Sequence, residues 1–475
     1  MRSRLHKGRQ ATTKPASIAQ WRLRSAAWFF LPLSLLESTF STRAVAQQPS
    51  PAPMRLTLDQ AIALALKQNH SIRLRSLSVE QMQSKKDEAR SNYFPQINAS
   101  GSTLHLTELA GIEIPAGAFG IYPSTGPIPS KSLFIDQGSA TGYTGGVGLE
   151  QPLTQMFRIH QANVAAKQDV IIAKTEFDQS KGAIALQVRK VYYDILINQQ
   201  KAEASQDQLA AAQTKNEESR RDVEQGNALE ISALQSEAAI LQARQESITL
   251  RLQGDDLRRQ FADALGLPVN TPIDLDPGTA VGTLNITSRI DAVRIALDQN
   301  QDVKVARQTL VKAQAGLAAA KDAYIPDLTA LSRYSYQSGV PLLVHNFGTF
   351  GFSLNYDLFD GGRREAKVRE ARSEVRSAEV ALERVQSEIE VQVQSIYDRI
   401  DELKQMVDVA RQVVKVRTEA ARLADRQFEQ TAALSSTRSQ AHADLTNAAA
   451  SLLEANCGLS LAEADLKRAI GQIPQ

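Results

Sequence analysis

The sequence predicts a mainly α fold with β, built as a duplicated unit of rod-length helices with one β-hairpin in each copy. Three observations carry this: the chain matches itself along most of its length, proline-free stretches hold a 3–4 apolar spacing, and period-two alternation occupies the gaps between them. Composition agrees. The 475 residues are 43% hydrophobic and 22% charged but only 5% aromatic. That balance excludes collagen, a disulfide scaffold and wholesale disorder. The single cysteine, Cys457, excludes an intramolecular disulfide and any Cys-cluster metal site, and it reads as a small packed residue.

Residues 1–46 read as a signal peptide. A basic region precedes the apolar run Ala26–Leu36, and Ala44-Val45-Ala46 supplies small residues before Gln47. This segment holds eight basic residues and one acid; without it 46 basic and 51 acidic groups remain, a net −5. Such a chain gives no reason to expect nucleic-acid binding. Residues 47–55 read as a flexible lead. Beyond residue 46 there is no apolar run of about 18 residues, the length a membrane-spanning helix requires.

The duplication is explicit. Ala61–Asn69 matches Ala292–Asn300 at an offset of 231, which also carries Tyr93 and Pro95 onto Tyr324 and Pro326. An offset of 205 then pairs Leu149 with Leu354, Leu153 with Leu358, Tyr192 with Tyr397, and Leu265-Gly266 with Ile470-Gly471. The missing 26 residues fall between Pro95 and Leu149, so that interval holds a long loop. The first repeat spans 56–270, with a hairpin at about 96–153 and long helices at about 156–225 and 229–266. A linker fills 271–286. The second repeat spans 287–472, with a hairpin at about 327–359 and helices at about 362–430 and 435–470.

The helices are coiled-coil in character. Val368, Ala371, Val375, Ala378, Leu382, Val385 and Ile389 form one apolar run, and Val393 to Val414 continue it after a stutter. At ~1.5 Å per residue this rod spans about 100 Å. It belongs to a coiled-coil arm or to the wall of a tube.

The strands alternate. Phe350, Phe352, Leu354, Tyr356 and Leu358 share one face, and Tyr143, Val147, Leu149 and Leu153 do so in the first copy. In 97–107 the apolar parity switches, which reads as a bulge. Loops at about 108–141 and 337–347 are rich in Gly, Pro and Ser. Four strands cannot seal themselves in lipid, where each unpaired backbone group costs several kcal/mol. Three chains pool twelve strands, within the range of closed membrane barrels. The alternating apolar residues then face lipid. A soluble sheet packed on a core is the alternative on pattern alone.

Leu56-Thr57-Leu58-Asp59-Gln60-Ala61 with Asn69, Tyr93-Phe94-Pro95-Gln96-Ile97, and Leu358-Phe359-Asp360-Gly361-Gly362-Arg363 occur in an order that resembles the TolC-like outer-membrane efflux channel family. The resemblance covers roughly 56–472. It implies a homotrimer with a 12-stranded outer-membrane β-barrel, four strands per protomer, above a twelve-helix periplasmic α-barrel. It also implies a passive exit duct for small molecules, joined to a periplasmic adaptor protein and an inner-membrane pump. The same duct in type I protein secretion, and a periplasmic coiled-coil structural protein, are the alternatives.

The turns at the far helix ends are the expected tip and adaptor contact: Gly226, Asn227, Ala228 and Leu229 in one copy, Thr431, Ala432, Ala433 and Leu434 in the other. Gly226 suits a sharp reversal. At the level where the family often forms a charged constriction this chain has Ser232 and Thr437, and Glu230 is the candidate replacement. Asp360-Gly361-Gly362 lacks the Lys-Ser/Thr of a phosphate loop and reads as a helix start capped by Asp360. The histidines are scattered without ligand spacing, no catalytic constellation can be argued, and no metal or cofactor is expected. Arg363-Arg364-Glu365, and Glu217-Glu218 with Arg220-Arg221, read as solvated helix faces.

Overall fold

The computed structural model describes residues 54–108, 111–136, 138–276, 288–339, 344–430 and 433–472. The expected signal peptide, most of the expected lead, and Thr431 and Ala432 of the expected tip lie outside these residues.

In the first repeat, strand β1 (Met54–Leu56) leads into α1 (Leu58–Gln68). Thr57 and Gln60 close a capping box there: the Thr57 hydroxyl accepts from Gln60 N, and the Gln60 side chain accepts from Thr57 N. Helix α2 (His70–Ser91) follows after Asn69 alone, and β2 (Gln96–His105) after Pro95. The long loop contains two nested hairpins, β3 (Gly111–Ile114) with β6 (Leu133–Asp136) around β4 (Ile121–Tyr122) with β5 (Gly126–Pro127). Strand β7 (Thr141–Pro152) returns to α3 (Met156–Glu224) and α4 (Glu230–Leu265), and β8 (Ile273–Leu275) pairs in parallel with β1. The second repeat gives α5 (Arg289–Gln299), α6 (Gln301–Asp322), β9 (Asp327–Ser338), β10 (Asn346–Asn355), α7 (Arg363–Glu429) and α8 (Ser435–Ala469). Helices α3 and α7 have 69 and 67 residues, so each spans about 100 Å at ~1.5 Å per residue.

The repeats share one pinning device. Asn69 ends α1 and starts α2: its Oδ1 accepts from Ser71 N (2.8 Å) and Ile72 N (3.4 Å), while Nδ2 donates to Ala264 O at the end of α4 (2.9 Å). Asn300 does the same for Asp302, Val303 and Ala469. Gly266 and Gly471 sit against these turns with φ of +72° and +83°. A Cβ would lie 2.6 Å from Gln68 O at the first and 2.3 Å from Gln299 O at the second. Both glycines are therefore required by backbone conformation and by close approach.

Two cores form, one centred in each repeat, with Cys457 of α8 joining the first. Tyr192, Phe261, Leu58, Leu265 and Val188 centre the first; Ile400, Val393, Val303 and Tyr397 centre the second. The first is closed by β1 and β8, with the Tyr192 hydroxyl 2.7 Å from Asp276 O and 3.3 Å from Leu56 O. The end of the expected flexible lead and the start of the expected linker are thus ordered as a strand pair. Burial of Leu56 and Leu275 over Tyr192 is the reason.

The four long strands form one antiparallel sheet in the order β10-β9-β7-β2. Two sequence expectations are corrected. The bulge in 97–107 is absent: β2 pairs with β7 in one unbroken register from Gln96↔Glu150 to His105↔Thr141. Leu104 simply occupies the opposite face near the strand's outer end. The strand expected over 350–358 stops at Asn355, leaving Tyr356 and Leu358 beyond it. Its ladder ends at the pair Asn355↔Asp327, because the preceding Pro326 has no N–H to offer.

Candidate functional site

The sheet has two unlike faces. Cross-strand register places Ile97, Ala99, Val147, Leu149, Tyr334, Phe352 and Leu354 on one face, and Asn98, Ser100, Thr144, Arg333 and Ser335 on the other. Arg333 Nη2 reaches across β7 to Ser100 Oγ at 2.8 Å, which fits the polar face. The apolar face is bare: Phe350 is 90% exposed, Phe352 75% and Leu354 68%. Bare aromatics in a row on a period-two strand are a surface for apolar contact. The core that the alternative of a soluble sheet would need against this face is absent among the described residues. Strands β10 and β2 both end the sheet with unpaired edges.

Below the sheet, α4 packs on α3, α3 on α8 and α8 on α7. Among the described residues the outer faces of α4 and α7 have no partner, yet each carries an apolar stripe. Ile231, Leu234, Leu241, Ile248 and Leu252 line α4; Met406, Val409, Val413, Val416 and Leu423 line α7; all are at least 43% exposed. Their steps of three, four and seven are those of a coiled-coil seam. Counted from the tip ends of their helices, the two stripes overlap along most of their length. Among the described residues no helix is long and apolar enough to cross a membrane, and no His/Cys/Asp/Glu group could hold a metal ion.

Where strands meet helices, Arg364 organises the junction. Its Nε donates to Asp360 Oδ2 at 2.7 Å and its Nη2 to Asp357 O at 2.5 Å, and the guanidinium stacks over the rings of Tyr356 and Tyr324. Asp360 also accepts from Gly362 N and Arg364 N. The N-cap position is Gly362, at φ +83°, and Asp360 supplies the acceptor from two residues before it. Desolvation pushes the Asp360 carboxyl up, but its hydrogen bonds from Arg364 and Gly362 outweigh this and hold it below the usual range. Arg364 is therefore no solvated charge: its side chain is 16% exposed.

At the far end, Gly226 (φ +74°) closes α3 with a Schellman motif: Gly226 N donates to Val223 O and Asn227 N to Asp222 O. Ala228 and Leu229 complete the reversal, with Leu229 75% exposed. Ala433 and Leu434 occupy the second tip. Glu230 is exposed in the first turn of α4, Ser232 is half-buried behind it, and Thr437 is exposed on α8. The carboxylate that joins the two repeats here is another one, Glu218 of α3, whose Oε1 accepts from Ser436 N at the start of α8 (2.9 Å). Its position inside a charge run hid it from sequence reading. Higher on α7, Asp425 accepts from Arg438 Nε (2.7 Å) and lies 3.0 Å from His442 Nε2. Bonds from His442 and then Arg438 hold its carboxyl below the usual range.

Fold and site define a class: a duplicated chain of rod-length helices carrying a four-stranded sheet with one bare apolar face. The outer membrane efflux protein family model matches residues 61–267 and 292–472, one span per repeat, and the chain belongs to that family. No curated protein matches it. Solved structures of the same fold include the Campylobacter jejuni CmeC outer membrane channel, 13% identical with a TM-score of 0.72 over 93% of this chain and 94% of that one. They include the Vibrio cholerae outer membrane protein VceC (16%, 0.67, 88% and 97%). The open state of the Neisseria gonorrhoeae MtrE outer membrane channel is a third (19%, 0.68, 88% and 89%).

Proposed function

We propose that the chain is one subunit of a trimeric outer-membrane exit duct for small molecules, passive itself and coupled through a periplasmic adaptor to an inner-membrane pump. The observation that carries this is the set of unfinished surfaces: two free strand edges, one bare aromatic face, and two exposed apolar helix stripes that overlap in distance from the tips. A second copy that pairs β10 with β2 brings α7 beside α4, so one rotation satisfies edges and stripes together. Repeating a head-to-tail contact makes a ring when the rotation closes. Three copies give twelve strands, with aromatics toward lipid and the Arg333 face toward a water-filled lumen. The tips at Gly226–Leu229 and 431–434 form the periplasmic mouth where the adaptor docks.

Density-gradient fractionation of cells making the full chain tests this reading. Recovery with the outer membrane supports it; recovery in the soluble periplasm refutes it.

A further inference from the structure

A cavity of about 280 Å³ opens where β9 and β10 hand over to α6 and α7, lined by Arg158, Asp327, Asp357, Arg363, Arg364 and Lys367 among others. Four cations and two acids line it, and a third acid, Asp360, is tied to Arg364. The cations are not equivalent. Arg364 is committed to Asp360 and two tyrosine rings. Arg158 bonds Asp327. Arg363 holds Asp357 at 2.8 Å, but both side chains are about 60% exposed, so water competes for that pair. Lys367 has no acidic partner within ion-pair distance among the described residues.

Arg363 and Lys367 stand one turn apart on the first two turns of α7, where like charges repel. They also sit at the positive end of a 67-residue helix dipole, which disfavours cations. The Gly362 and Arg364 N–H groups do not serve an incoming anion, since the Asp360 side chain already occupies both. Side-chain cations are the groups on hand to hold one. Beside the cavity, Leu358 and Phe359 are each 90% exposed, so an apolar surface adjoins the charged one.

We propose that Arg363 and Lys367, with Arg158 behind them, form a binding site for a phosphate group at the foot of the strands. A phosphate bridging Arg363 and Lys367 offsets their repulsion and accepts charge-assisted hydrogen bonds from both. Two sources share this chemistry: the head group of a phospholipid, whose chains would lie over Leu358 and Phe359, and a soluble phosphate-bearing molecule. The lipid source rests on the membrane reading above; the soluble source does not.

The test is native mass spectrometry of the full chain purified in mild detergent, offered phosphatidylglycerol or, as a control without phosphate, diacylglycerol. A parallel arm titrates inorganic phosphate alone and follows its ³¹P resonance. Arg363→Gln/Lys367→Gln is compared with Arg369→Gln, an exposed cation outside the cavity. We expect retained phosphatidylglycerol but not diacylglycerol, a roughly thirtyfold loss of retention in the double variant at about tenfold or less per cation, and no change in Arg369→Gln. Lipid retention with weak free-phosphate binding assigns a head-group site. Equal binding of free phosphate assigns a soluble ligand. Helical circular dichroism confirms that the variants are folded. No phosphate-dependent binding in either arm, or equal loss in Arg369→Gln, overturns the proposal, and it does so without touching the duct reading.

Discussion

Removing the Asn69 side chain should unfasten α1, α2 and α4 at one point. In Asn69→Ala, α2 loses acceptors for Ser71 N and Ile72 N, and the Ala264 carbonyl at the end of α4 loses its donor. Asn69 is 8% exposed, so water does not replace these bonds freely. Two are short and one is 3.4 Å. At ~0.5–1.5 kcal/mol each, the loss is about 2–3 kcal/mol, which is roughly 30- to 150-fold in a local opening equilibrium. Asn69→Asp keeps both acceptor bonds at a favourable helix start but turns a carboxylate toward Ala264 O, so it should lose about tenfold. Hydrogen exchange on peptides spanning 66–74 and 262–268 reads this directly. The peptides around Asn300 serve as an internal reference, because that pin belongs to the other core. The expected order of protection is wild type, then Asn69→Asp, then Asn69→Ala. Exchange within twofold of wild type in Asn69→Ala, or equal loss at both pins, would refute the reasoning.

Four further outcomes follow from the same geometry. Gly266→Ala combines positive φ with a Cβ 2.6 Å from Gln68 O, whereas Gly226→Ala meets open space. The first should cost well over the ~1–2 kcal/mol of left-handed strain that the second shows by thermal melting. Burial pushes the Cys457 thiol up to about 11 from an ordinary 9.0. It should resist maleimide at pH 8 until the protein unfolds. Between roughly pH 9 and 11 the unfolded chain gives up a proton that the native chain keeps, so stability falls across that window. Glu230→Ala should lower cation preference in planar-bilayer conductance, and an unchanged reversal potential would remove Glu230 from the constriction. Leu241→Asp or Val416→Asp places a charge in the expected seam and should weaken assembly, read by light scattering, by more than the ~1.5–3 kcal/mol that a buried Leu supplies.

The sequence made some of this legible because long elements repeat their pattern many times. Val368, Ala371, Ala378, Ile389, Val393 and Ile400 are buried where the 3–4 spacing placed them. The Asn69/Asn300 and Gly266/Gly471 matches were visible as letters, but their shared task was not, since it joins residues 195 and 169 positions apart. The helix break at Asn69 carries no Gly or Pro, so the letters alone do not mark it. The end of β10 was missed because alternation continues through Tyr356 and Leu358, while the stop lies in its partner at Pro326. Arg364 and Glu218 sit in runs of charge, and only tertiary contact separates a partnered charge from a solvated one.

On the proposed reading, one chain leaves edges and stripes that two further copies cover. The mass of the protein particle in mild detergent, measured together with its conductance in a planar bilayer, tests this most directly. Three chains per particle and a stable pore are expected. A single chain of 51.9 kDa or less without pore activity would contradict the account.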